Sequence, residues 1–179
     1  LKGIIRTAKP FLSPKVFAPD GSLPAPKAYV YRDPKFGFSM IIPGWWQKYS
    51  VIERSPSAGD ADYGVFFLFK YKGKTYGDVF SLLVFRMSLQ RWINESYDDS
   101  PYVRLATRDG LIFAYTTPGE LPEEFLDETG NDYDDVKYAL PIRLMSRMVN
   151  GDAPKIARSL KLAAKPSRKQ RKHQPMRSS

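Results

Sequence analysis

Two nearly unbroken apolar and aromatic runs, residues 63–71 and 79–87, are joined through the turn sequence Lys72-Gly73-Lys74. Such a pair predicts a β-hairpin, and the first run, apolar at almost every position, predicts a central strand covered on both faces. A chain built around it must supply further apolar layers. At 179 residues, 42% of them hydrophobic and 14% aromatic, this one can do so.

The flanking segments fit that requirement. Residues 36–42 read as a strand stopped by Pro43-Gly44, and residues 49–53 alternate weakly, which predicts a neighbour paired next to it. Residues 104–107 and 111–116, with Asp109-Gly110 between them, read as a second hairpin. Ser88 is placed to cap a short helix through Ser96, with Leu89, Trp92 and Ile93 on one side. Residues 133–149 carry Val136, Leu140, Leu144, Met145 and Met148 near helical spacing, and Pro141 interrupts the pattern. Asn150-Gly151 ends that segment. Asp152 then reads as the cap of a last short helix, with Pro154 in its first turn and Ile156 and Leu160 inward. Strands first and helices later predict an α+β fold: an antiparallel sheet of about five or six strands covered by short helices, with the C-terminal helices packing on the sheet.

The ends differ from this body. Residues 1–28 contain Pro10, Pro14, Pro19, Pro24 and Pro26, which predicts an extended linker or arm. Phe11, Leu12, Val16 and Phe17 offer that arm a means of docking. The chain begins with Leu1 and has no apolar leader, so a processed or truncated product is expected. Residues 29–163 form the predicted globular domain. Residues 164–179 hold six cations and no acid, and six of the nine net positive charges lie there, leaving a body near +3. With few apolar side chains to bury, this tail is expected to stay unfolded. No run approaches the roughly eighteen apolar residues of a membrane-spanning helix.

Composition also removes whole classes of chemistry. The chain has no cysteine, which excludes disulfides, thiolate nucleophiles and cysteine-ligated zinc. Its one histidine, His173, lies in the basic tail. A Ser-His-Asp triad in the core or a two-histidine metal site cannot be assembled from one chain. No pair of carboxylates stands out for glycoside hydrolysis, and the expectation is a non-enzymatic protein.

The runs GFSMIIPGWWQKYSV, GDVFSLLVFRMSLQRWI, RLATRDGLIFAYTTP and DAPKIARSLKL together resemble a recurrent domain of Gram-positive extracytoplasmic proteins and lipoproteins. The resemblance covers residues 30–163 and rests on structural punctuation. It implies a fold similar to the sandwich of photosystem extrinsic P-subunits and a Ran-binding transport factor, a place in the cell envelope, and no enzymatic residues to carry over. This chain departs from the pattern in its Trp45-Trp46 pair, its acidic loop and its basic tail.

Three features are candidates for binding. Lys165, Arg168, Lys169, Arg171, Lys172 and Arg177 suit an anionic envelope polymer or lipid, or alternatively nucleic acid, although no aromatic residues are interleaved for base stacking. Trp45 and Trp46, read as adjacent strand residues, would point to opposite faces, so one is a candidate exposed contact for a sugar or a partner protein. The acidic loop 120–135 could supply oxygens to calcium, though Thr129 stands where an EF-hand needs an acidic or amide ligand; otherwise its acids favour the start of the next helix or partner the basic tail. Gly73-Lys74-Thr75 imitates the end of a phosphate-binding loop, but position 68 is Leu instead of Gly and a strand follows, so it reads as a turn.

Overall fold

The computed structural model describes residues 27–164. The fold is α+β, with a five-stranded and a three-stranded antiparallel sheet, a few short helices, and a C-terminal helix packed on the sheet. Strand β1 (Ala28–Asp33) pairs with β2 (Phe38–Pro43), and the two-residue β8 (Lys161–Leu162) adds to the other side of β2. The larger sheet has the order β3 (Ser50–Ser55), β4 (Tyr63–Tyr71), β5 (Lys74–Arg86), β7 (Leu111–Thr116), β6 (Val103–Arg108).

Period-two burial explains the smaller sheet. Tyr31 and Asp33 on β1, and Phe38, Met40 and Ile42 on β2, face inward, while Val30 and Ile41 pair on the exposed face. Asp33 is buried but fully used. Its Oδ2 accepts the Lys35 and Phe36 amides at 3.1 and 3.0 Å, and its Oδ1 accepts the Tyr63 hydroxyl at 2.7 Å. That bond fastens the β1–β2 turn to the larger sheet, as does Arg54 Nε donating to the Tyr31 hydroxyl at 2.8 Å.

Residues 49–53 were expected to pair beside residues 36–42. Instead β3 pairs with β4, in the other sheet. The helical turn α1 (Trp46–Tyr49) lies between β2 and β3 and carries the chain across. The central strand is as expected: Val65, Phe67 and Phe69 of β4 face the main core, and Phe66 faces a second cluster on the opposite side. Both tight turns follow the sequence, since Lys72 and Gly73 (φ 48° and 77°), like Asp109 and Gly110 (52° and 74°), adopt left-handed conformations in succession.

The main core lies between the sheets and is completed by α3 (Ala139–Ser146) and α4 (Ala153–Arg158). Leu144, Met145, Met148, Ile156 and Ala157 are buried there. Val136, expected on the same helical face, is 91% exposed, because α3 starts only at Ala139 and Pro141 falls in its first turn, where its missing N–H costs nothing. Asn150-Gly151 does not end the segment. A π-helical turn, Arg147–Asp152, leads directly into α4.

The second cluster covers the outer face. Helix α2 (Leu89–Asn94) is capped by Ser88, whose Oγ accepts the Arg91 amide at 3.1 Å. Only Trp92 of its apolar residues is buried. Leu89 and Ile93, expected beside it, are exposed because two turns of helix bring one side chain to the sheet. The 3₁₀ turn Tyr97–Asp99 follows, and Asp98 Oδ1 accepts the Trp92 indole N–H at 2.7 Å.

Candidate functional site

Beyond the core, the β4–β5 hairpin shares, at its tip, a concavity with residues of α1 and α3. Its pairing register shifts between Phe67 and Leu68 and again between Leu68 and Lys70. Such irregularities bend and twist a hairpin, here re-aiming the tip. Under the tip lies a concavity of about 320 Å³ lined by Lys48, Tyr49, Lys70, Tyr71, Lys72, Gly73 and Leu140. Three of these residues are cationic and none is acidic. Lys72 Nζ lies over the Tyr71 ring at 5.6 Å and Lys48 Nζ over the Tyr49 ring at 5.3 Å, which holds each ammonium at the rim by its attraction to the ring face. Neighbouring Lys74 instead reaches Glu124 at 3.7 Å. The like charges of Lys70 and Lys72 at one hairpin tip repel, and a polyvalent anion relieves that repulsion while accepting their N–H donors. Gly73-Lys74-Thr75 is part of this hairpin, as expected, and is not a phosphate-binding loop.

The Trp45-Trp46 pair requires a correction. Trp45 has helical backbone angles, φ −65° and ψ −20°, so the two rings are not thrown to opposite faces as they would be on a strand. Trp46 is fully buried, and both indoles donate to one acceptor, Asp152 Oδ2, at 2.9 Å each. Half-buried Trp45 also meets the Arg147 guanidinium, 4.7 Å above its ring. The pair is a structural clasp between α1 and the π-helical turn. Asp152, expected as a helix cap, makes no capping bond because its carboxylate serves the tryptophans.

Three acids of loop 120–135, Asp127, Asp132 and Asp134, hold turns instead of converging on a cation. Asp127 Oδ1 accepts the Thr129 amide and hydroxyl at 3.0 and 2.6 Å, and that hydroxyl bond is the leading cause of its lowered pKa. Asp134 Oδ1 accepts the Val136 and Lys137 amides at 3.2 and 2.8 Å, and Asp132 Oδ1 accepts the Tyr133 amide at 2.9 Å. Among the described residues no three acidic or histidine side chains are grouped to hold a metal, so the calcium expectation for this loop finds no cage. The six tail cations, Lys165 to Arg177, and the N-terminal arm residues Phe11, Leu12, Val16 and Phe17 lie outside the described residues. Among those described, no helix is long and apolar enough to cross a membrane.

Sequence reading missed the lysine concavity because its lining comes from three segments. The available signal was the alternation Lys70-Tyr71-Lys72 at a hairpin tip, beyond the last core residue of β4. Comparison with known proteins finds no matching family model, no matching curated protein and no matching solved structure.

Proposed function

We propose that this protein is a non-enzymatic interaction domain that binds a phosphate-rich anionic polymer. The observation that carries the reading is the concavity with Lys48, Lys70 and Lys72 in its lining, tyrosine rings beneath the Lys48 and Lys72 ammonium groups, and no acid among the described lining residues. Point-like ammonium groups on flexible stems suit a repeating phosphate chain without demanding one fixed geometry. The sequence resemblance to extracytoplasmic domains supports the cell envelope as the place of action and an envelope polymer as the ligand. The tail cations, Lys165, Arg168, Lys169, Arg171, Lys172 and Arg177, extend the same charge complementarity and strengthen the encounter.

The test is titration of the full chain with inorganic polyphosphate at several salt concentrations. Lys48→Gln, Lys70→Gln and Lys72→Gln together are expected to weaken binding at least tenfold and to flatten its salt dependence. Replacing the six tail cations with Gln is expected to slow association more than it weakens the complex. Unchanged affinity in the triple variant would overturn the reading. So would tighter binding of single-stranded nucleic acid than of polyphosphate, lost with the tail cations, which would make the tail a nucleic-acid anchor.

A further inference from the structure

The outer face of the larger sheet carries a second concavity of opposite character. It measures about 630 Å³ and includes Asp60, Glu95, Tyr97 and Tyr102 in its lining. The Tyr97 and Tyr102 rings stack at 6.1 Å with 25° between their planes, and Trp92 stacks on Tyr97 at 4.8 Å. Phe85 supports all three from below by edge contacts of 5.2 to 5.7 Å. These rings are therefore locked before any ligand arrives, which lowers the ordering cost of binding.

The carboxylates come from separate elements: Asp60 from the loop before β4, and Glu95 from the C-terminal end of α2. Burial first, and then the charges of Asp60 and Glu95, raise the pKa of Tyr97, so both acids act on the same ring. Glu95 already holds Arg91 at 2.7 Å. Asp60 has no ion-pair partner among the described residues. Aromatic faces and an unneutralised carboxylate in one concavity favour a cation carried on an apolar stem.

We propose that this cleft receives a lysine or arginine side chain of a partner polypeptide, with its stem along Tyr97 and Tyr102 and its charge toward Asp60. The lining is opposite in sign to the lysine concavity, so one domain would hold a polyanion at the hairpin tip and a basic protein segment on its outer face. The inference does not depend on the polymer-binding reading.

The experiment uses the full chain and three capped peptides of one sequence, with arginine, lysine or neutral citrulline at the central position, followed by Trp92 fluorescence and the Trp92 indole NMR signal. The arginine and lysine peptides are expected to shift that signal, with citrulline binding at least fivefold weaker. Asp60→Asn is expected to weaken the cationic peptides about fivefold or more, and Tyr102→Leu to weaken all three. Asp60 is exposed and makes no hydrogen bond among the described residues, so its variant reports on binding without a folding defect. Equal binding of citrulline, or no effect of Asp60→Asn, would overturn the proposal. A gain of affinity when the six tail cations are changed to Gln would also overturn it, by showing that the chain's own cations occupy the cleft.

Discussion

The two faces of the five-stranded sheet are both apolar, yet they carry different loads. The inner face joins the three-stranded sheet, α1, α3 and α4 into one continuous cluster reaching from Tyr31 to Ala157. Among the described residues the outer face meets α2, the 3₁₀ turn after it, Tyr102 and the β3–β4 loop at Ala58 and Ala61, through a smaller cluster around Phe85 and Trp92. Inner side chains touch elements from both ends of the described residues, so they stabilise the whole of that domain at once. Outer ones hold a local cover whose rings reach the surface. The lesson is one of division of labour: the inner layer defines the fold, and the outer layer can open or bind without dismantling it.

The largest effect should separate the faces directly. Phe67 is fully buried, with the rings of Tyr31, Trp46 and Phe80 all within 6 Å. Phe67→Ala should cost the upper part of about 3–5 kcal/mol in chemical denaturation, with the whole domain losing stability together. Trp92→Ala should cost the lower part of that range, and faster amide exchange should stay confined to α2 and its surroundings. Uniformly faster exchange in the Trp92 variant would break the distinction between the faces.

Asp152→Ala sharpens the comparison from the inner side. It removes the acceptor of two indoles, one of them fully buried, and should cost about 2 kcal/mol. Asp152→Asn should recover part of the loss, because an amide oxygen still accepts; no difference between the two variants would deny the bonds any energetic role.

The smallest effect concerns the tie between the sheets. Burial, and then the hydrogen bond to Asp33, push the Tyr63 hydroxyl pKa well above its usual value. The folded state therefore retains this proton where the unfolded chain releases it. The stabilisation is complete below the ordinary tyrosine value of about 10 and is lost as pH rises above it. Tyr63→Phe should cost about 1 kcal/mol at neutral pH and should show a shallower alkaline fall than the parent protein. Parallel alkaline curves would assign the fall to other tyrosines.

Much of this architecture was legible where local chemistry decides. Lys72-Gly73 and Asp109-Gly110 are turns because both positions need left-handed backbone, and Ser88 caps α2 because its hydroxyl reaches a free amide. Legibility failed where a distant segment decides. The partner of β3 depends on α1 redirecting the chain, and the role of Asp152 depends on two tryptophans more than a hundred positions earlier. Composition could find the acids of residues 120–135 but not that Asp127, Asp132 and Asp134 would be spent on nearby amides. Both concavities escaped notice for the same reason: their charges are scattered in sequence and meet only after folding.

One pairing has a bearing on how the protein is made. β8 lies against β2, and Ser159 Oγ accepts the Ile41 amide at 2.8 Å, across 118 positions of chain. During synthesis the β1–β2 hairpin leaves the ribosome long before its third strand exists. The flank of β2 must wait, unpaired, for nearly the whole domain to be translated, and an unpaired strand flank invites neighbours. Closing the small sheet is thus among the last events open to a nascent chain, and slow elongation lengthens the interval in which it is vulnerable.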